Sequence, residues 1–423
     1  MARFSFEGEI NSLTIRQQEF LCDVLEGRGY TDTKVIIETV GKAGDNYVAN
    51  VKRITVKEND NDVFKIIAKI APTKEELRAQ IQAQVLFRNE GLMYCEVLPA
   101  LLQLQKEEGV PEEDQLRYAQ CYGVLLDEPD EIILLEDLLE SNFTMLDRFT
   151  SLSNECIKLN LKNLALLHSL SLVFKKQEPN KFDEFKQKLV DCFVTMTEIP
   201  EFKFYIQSME NDAIQVLDDN KYKDAIRGTL TKAGELYKKI AKDEIRLKYS
   251  VIIQGDGWTN NIMFKLENEV PVEAIMIDYQ LSRVSNPVCD VLYMLFNCTD
   301  YATRREHYHD WIAYYHLQLE KSLSNFGIKV DFVFSREQLD ADLKRYSKLF
   351  FANAIMLSSV LIRKSEDAAK AKELMESSDK VDMEKIMESF QIKNLDEESV
   401  SKFKSRIEGV INSYRDLGYS YCV

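Results

Sequence analysis

Gln254–Gly255–Asp256–Gly257–Trp258–Thr259–Asn260–Asn261, which follows the apolar run Tyr249–Ile253, decides the fold. An Asp with an Asn five residues later, on a short loop after an apolar strand, has the spacing of a phosphoryl-transfer loop. That chemistry needs a carboxylate to orient and deprotonate an acceptor hydroxyl. It also needs an amide or carboxylate oxygen to hold a magnesium ion. Asp256 suits the first role and Asn261 the second. Seventeen residues after Asn261 comes Ile277–Asp278–Tyr279–Gln280, an Asp at the end of a second apolar strand. Such a carboxylate bridges magnesium to nucleotide phosphates. A lone Asp reads first as a turn or a helix cap. Two acidic loops with a linked Asn, each in the right strand context, reverse that reading.

Working upstream, the same chemistry requires a Lys on an early strand and a helical Glu to orient it. Ile66–Ile67–Ala68–Lys69 ends a predicted strand, and Glu90 lies on the helix that follows. Alone, both would pass for surface charges. Gly41–Lys42–Ala43–Gly44–Asp45–Asn46–Tyr47 joins two predicted strands, and Gly44 and Asn46 would let backbone N–H groups approach a phosphate. By itself this is a hairpin turn. Ile132–Leu135 runs into Glu136–Asp137–Leu138, where a backbone hinge that pairs with adenine belongs.

Around these motifs the first third of the chain alternates strand and helix patterns. A helix is predicted over 13–28, with strands at Lys34–Val40, Tyr47–Val56 and Val63–Ile70. Helices follow over 74–91 and 95–108, then strands at Ala119–Leu125 and Glu131–Glu136. From about residue 150 long helical patterns dominate, at 152–174, 181–195, 200–218, 222–241, 305–323, 337–365 and 395–415. One β-rich island interrupts them, from Tyr249–Ile253 through Ile275–Asp278. The charged stretch 364–395 reads as a solvated helix or a mobile connection. The expected class is α+β, with a small β-rich lobe over 1–138 and a large, mainly helical lobe over 139–423.

Composition narrows the function. The 423 residues carry 54 Lys plus Arg against 70 Asp plus Glu, a net charge of −16, which disfavours general duplex nucleic-acid binding. The scarcity of Gly (15) and Pro (8) excludes collagen and low-complexity disorder. The eight Cys are scattered without a CxxC pair, so reduced thiols and a cytoplasmic location are expected. No apolar run approaches the roughly 18 residues of a membrane span, and no secretory, myristoylation or prenylation signal is read.

Ala43–Tyr47, Phe87–Glu90 with Tyr94, Leu134–Leu138, Leu164–Ser169, Gln254–Asn261 and Ile277–Arg283 with Asp290 together resemble the ecdysteroid kinase-like family of insects. That family stands with choline and aminoglycoside kinases, and the resemblance runs in order over about residues 30–300. It implies a two-lobed protein-kinase-like fold, with ATP and Mg2+ used to phosphorylate a small-molecule hydroxyl. An ecdysteroid is the named acceptor, and xenobiotic conjugation a wider role. The family pattern is His-Gly-Asp, whereas this chain has Gln254 before Gly255 and Asp256. Gln can both donate and accept hydrogen bonds in place of that His.

Asp256 is thus expected as the base, and Asn261 and Asp278 as magnesium ligands. Lys69, Glu90, Gly44, Asn46, Glu136, Asp137 and Leu138 are expected around the nucleotide. No obligate protein partner is evident. Two other readings stay open: a kinase-shaped protein that sequesters an apolar ligand, and a kinase for a cationic amino-alcohol such as choline. An acidic wall on the acceptor side would favour choline, and an apolar wall a steroid. His168 reads as a core histidine, Asp290 as a support for the catalytic loop or a helix cap, and Trp258 as packing beneath that loop.

Overall fold

The computed structural model describes residues 4–41, 49–59, 61–244, 248–367, 369–370, 388 and 391–420. Six strands form its largest sheet: β1 (Ser5–Gly8), β2 (Lys34–Thr39), β3 (Asn50–Glu58), β4 (Asn61–Ile70), β5 (Cys121–Leu125) and β6 (Ile132–Glu136). Their spatial order is β1-β2-β3-β4-β6-β5, parallel between β1 and β2 and antiparallel elsewhere. Side chains alternate across a strand. Ile66, Ala68 and Ile70 of β4 therefore share one face, where they pack with Leu21 and Leu25 of helix α1 (Ile15–Gly27). Lys69 points to the opposite face.

That face is covered by α2 (Glu75–Ile81), α3 (Ala83–Leu92) and α4 (Leu98–Glu107), the last two joined by a π-helical turn at Met93–Val97. The sequence pattern predicts one helix over 74–91. The chain instead breaks at Gln82, which adopts a left-handed conformation (φ 55°, ψ 43°). Its side chain accepts from Thr195 Oγ1 at 2.8 Å and so reaches the helical part of the chain. Apolar periodicity continues across such a break and does not reveal it.

Five further strands lie beyond the large sheet. β7 (Phe143–Met145), β9 (Ile262–Glu267) and β10 (Val270–Met276) form a three-stranded sheet, and β8 (Val251–Ile253) pairs with β11 (Arg283–Ser285). The helices around them are α5 (Asn154–Gln177), α6 (Pro179–Lys188), α7 (Cys192–Met196), α8 (Pro200–Val216), α9 (Asn220–Ile226) and α10 (Thr229–Glu244). After the last strand come α11 (Val288–Cys298), α12 (Tyr301–Ser324), α13 (Arg336–Leu361) and α14 (Glu397–Asp416). The helix predicted over 222–241 is two, separated at Gly228 (φ 72°). The one predicted over 181–195 is also two, α6 and α7. Helix α11 has no counterpart in the sequence reading, and every one of its residues is buried. Its polar residues Asp290, Tyr293 and Asn297 share one face, turned into the protein. Most of the charged stretch 364–395 lies outside the described residues. No described helix is long and apolar enough to cross a membrane.

A buried ion pair fastens α2 to the sheet. Arg78 donates to both oxygens of Glu131, at 2.7 and 2.5 Å, and the two residues are 8% and 1% exposed. Removing Glu131 leaves the buried guanidinium, among the described residues, only the exposed Glu128, at 3.3 Å, and the Pro72 carbonyl, at 3.0 Å. Glu131→Ala is expected to lower stability by about 3 kcal/mol, read as a shift of the urea midpoint. An unchanged midpoint would refute this role.

Candidate active site

The loop after β8 and the loop after β10 lie side by side, and one glutamine joins them. Gln254 Nε2 donates to the carbonyls of Ile277 and Asp278, each at 3.0 Å, while its Oε1 accepts from Asp256 N at 2.6 Å. The side chain at the position of the family histidine thus sets the backbone of both acidic loops. Asp290, at the start of α11, accepts from Gln254 N at 2.8 Å and Gly255 N at 2.9 Å. Behind it, His168 bridges Asp290 (3.1 Å) and the Tyr315 hydroxyl (2.8 Å), with no exposure of the ring. His168 is a core histidine, Asp290 supports the loop, and Trp258 is buried.

Two backbone positions pay steric attention to this crossing. Gly255 has φ 89°, and a Cβ there would lie 2.3 Å from the Leu281 carbonyl oxygen, so the loops can approach only through a glycine. Asp278 has φ 59°, uncommon for a residue with a Cβ. Its carbonyl is held by Gln254 and its carboxylate by Lys69.

The structure brings Lys69, Glu90, Asp256, Asn261 and Asp278 into one cluster. Lys69 Nζ meets Glu90 at 2.5 Å, Asp278 at 2.8 Å and the Gln280 side-chain oxygen at 3.3 Å. Asn261 Nδ2 donates to the Asp256 carbonyl (3.0 Å) and carboxylate (2.9 Å). With its NH2 engaged, Asn261 has its amide oxygen left to offer. That oxygen and the Asp278 carboxylate are hard donors that fit a magnesium ion completed by phosphate and water oxygens. Among the described residues no cluster of three His, Cys, Asp or Glu could hold a metal without such help.

The electrostatics follow from three carboxylates facing one ammonium. Burial and the neighbouring Asp278 charge push Asp256 up to about 7, against the hydrogen bonds from Tyr293 and Asn261 and the pull of Lys69. Burial also raises Glu90, which Lys69 opposes. Burial works against the charge on Lys69, but Asp278 and Glu90 outweigh it and keep the ammonium protonated.

Gly44 and Asn46 lie outside the described residues. Glu136, Asp137 and Leu138 stand where β6 leaves the sheet. Glu136 N donates to the Gln120 carbonyl (2.8 Å), and the Asp137 carbonyl accepts from Glu140 N (3.0 Å). The Asp137 carboxylate is paired with Arg53 at 2.6 Å, and Leu138 is 3% exposed.

Two partners escaped the sequence reading. Tyr293 donates its hydroxyl to Asp256 Oδ1 at 2.5 Å. Its spacing of three from Asp290 on one helix was the available signal, because residues three apart share a face. Gln280, two residues beyond Asp278, lies in the segment Ile277–Arg283 but carried no assigned role. Beside Tyr293 and Gly255 opens a cavity of about 430 Å³. Its walls are largely apolar, with Phe193, Ile206, Tyr237, Leu349, Phe350 and Met356, and its charged members are Lys203, Glu235 and Arg283.

The family model for the ecdysteroid kinase-like family matches residues 43–328. No curated protein matches the chain. Among solved structures, an ethanolamine kinase from Plasmodium vivax is similar at a TM-score of 0.45 and 13% identity, over 96% of this chain and 91% of that one. The GDP complex of an aminoglycoside 2'-phosphotransferase is similar at 0.44 and 11% identity, over 94% and 98%. An aminoglycoside phosphotransferase from Streptomyces rimosus is similar at 0.33 and 12% identity, over 81% and 99%.

The raised Asp256 predicts a pH signature in stability. A carboxyl that binds its proton more tightly when folded favours the native state while protonated. That advantage is lost as pH rises from the unfolded value near 4 through about 7. Asp256→Asn removes the titration, so over this window the variant should gain on the wild type by on the order of 1 kcal/mol per pH unit. Urea unfolding of both proteins at pH 5, 6, 7 and 8 checks this, and parallel profiles would contradict it.

Proposed function

The chain belongs to the ecdysteroid kinase-like family and is a small-molecule kinase, and from that premise we propose that it transfers the γ-phosphoryl group of ATP to a hydroxyl of an apolar small molecule, an ecdysteroid or a xenobiotic alcohol, phenol or glycoside. The observation that carries this reading is Asp256, which is bonded through one oxygen to Asn261 and through the other to Tyr293 of the apolar cavity, and which feels the charges of Asp278 and Lys69 in the ion cluster.

In the proposed mechanism Lys69 binds the nucleotide phosphates and Glu90 holds it in place. Glu136–Leu138 border the adenine, and the backbone around Gly44 and Asn46 approaches the phosphates. Asn261 and Asp278 hold Mg2+, which neutralises charge on the phosphates when bound. Asp256 accepts the proton of the acceptor hydroxyl. Tyr293 and Asn261 aim its two carboxylate oxygens, so the base has a fixed direction before any acceptor enters. Preorganisation of this kind favours in-line attack because little rotation is left to freeze.

The cavity lining supports an apolar acceptor over a cationic amino-alcohol. A single carboxylate, Glu235, is accompanied there by two cations, Lys203 and Arg283, so no acidic wall attracts a positive ligand. Its volume of about 430 Å³ is in the range of drug-sized ligand sites, roughly 300–1,000 Å³. The bonds that Gln254 makes to both loops support catalysis over mere sequestration, because the altered position still holds Asp256 in place.

Incubation with ATP and Mg2+ against ecdysteroids, plant phenolics and glycosides, and choline tests the reading, with mass spectrometry following gain of one phosphoryl group. An apolar hydroxyl compound should be phosphorylated. Asp256→Asn should retain nucleotide binding and lose about 10³-fold or more in turnover, roughly 4 kcal/mol of barrier. Because the ionised carboxylate is the base, kcat/KM of the wild type should rise with pH up to about 7 and level off above it. Equal turnover in the variant, or phosphorylation of choline alone, would overturn the assignment.

A further inference from the structure

A second cavity, of about 280 Å³, lies where α11 ends and α12 begins, with Arg304, Arg406, Asp300, Tyr301, Ser405 and Gly409 in its lining. Two arginines share it, and neither is satisfied by the protein. Arg304 is 2% exposed. Its Nε donates to Ser413 Oγ at 2.9 Å and its Nη1 to the Thr299 carbonyl, while Nη2, beside Gly409, has no acceptor among the described residues. Arg406 donates Nη2 to the Asn297 carbonyl at 3.0 Å. Its Nη1 has no acceptor among the described residues and, unlike its Nε, is not sealed from solvent.

The local charge does not balance. Asp300 is the one carboxylate in the lining, and it already caps α12 by accepting from Thr303 N and Oγ1 at 2.8 and 2.7 Å. Two guanidinium groups held close repel each other, and the repulsion is screened least at Arg304, which is 2% exposed. Burial and the proximity of Arg406 pull Arg304 down to about 9, far below the usual arginine range. Carbonyl oxygens offset part of this cost, but they leave N–H donors pointing at no acceptor. A buried donor without an acceptor costs free energy that a ligand can return.

We propose that this cavity is a binding site for a small oxyanion, inorganic phosphate or a phosphomonoester, held between Arg304 and Arg406. Planar guanidinium forks match the geometry of phosphate oxygens, and the first N–H groups of the 24-residue helix α12 add favourable dipoles. The exposed Ser405 and Ala302 leave the cavity open to solvent, so an anion can enter. The site rests on residues outside the catalytic cluster and stands or falls independently of the phosphotransfer reading.

Thermal unfolding in inorganic phosphate, glycerol phosphate and sodium chloride at matched ionic strength tests it. The wild type should show a saturable rise in Tm with phosphate and none with chloride. Glycerol phosphate giving the larger rise would identify a phosphomonoester as the preferred form, and the smaller rise free phosphate. Lys69→Met, which removes the phosphate contact of the other site, should keep the response. Arg406→Gln should weaken apparent affinity about tenfold or more, the loss of one charge-assisted contact. Ser405→Glu, at an exposed rim position, should abolish the response by supplying a carboxylate of its own, and it keeps the test open if Arg406→Gln fails to fold. Equal effects of chloride and phosphate, a response lost in Lys69→Met, or an undiminished response in both Arg406→Gln and Ser405→Glu would each overturn the proposal.

Discussion

One buried ammonium group ties together parts of the chain that lie more than two hundred residues apart. Lys69 on β4 contacts Glu90 on α3 and Asp278 after β10, with 10% of its side chain exposed. A lysine so enclosed is tolerated only with carboxylates against it. Each partner therefore fixes the position of the element that carries it. The sheet supplies the lysine on the face opposite α1, α3 supplies the glutamate, and the three-stranded sheet delivers the aspartate. Because three carboxylates face one ammonium, the cluster carries an excess of negative charge. Burial raises Asp256 and that excess adds to it, and the excess is also the condition under which a divalent cation binds well.

Behind the cluster a hydrogen-bond network holds the two loops. Asp290 engages the N–H groups of Gln254 and Gly255, and His168 engages Asp290 in turn. Gln254 occupies the crossing with both halves of its amide, donating to one loop and accepting from the other. The left-handed backbone of Asp278 sits within this frame. Strain of that kind persists only where surrounding bonds over-determine it, and here they come from Lys69, Gln254 and Gln280.

How legible this was depended on distance along the chain. Asp256 with Asn261, and Asp278 after its strand, announce themselves because phosphoryl-transfer chemistry fixes short spacings. Lys69 and Glu90 needed the downstream loop as context, since neither residue type is rare on a surface. Tyr293 lies on α11, a helix buried throughout, where only its place on the face of Asp290 and Asn297 sets it apart from the surrounding core. The break at Gln82 was hidden because the apolar periodicity runs through it, while its side chain meets Thr195, more than a hundred residues away in the chain. The division of 222–241 at Gly228 was marked only by one glycine, a residue that helices also tolerate.

The acidity of the chain said nothing about the acceptor, and the local walls say more. A net charge acts over the whole surface and is screened by salt beyond about 10 Å, whereas a ligand inside a cavity meets only its lining. Tyr293 belongs both to that lining and to the hydrogen bonds of Asp256. Its ring faces an apolar space while its hydroxyl holds the carboxylate. A ligand that fills the cavity by hydrophobic contact would find polar chemistry concentrated at the edge where Gly255 and Tyr293 lie. Under the proposed function this division of labour makes regiochemistry a matter of fit: the apolar body sets the depth of binding, and the hydroxyl brought to that edge is the one that reacts.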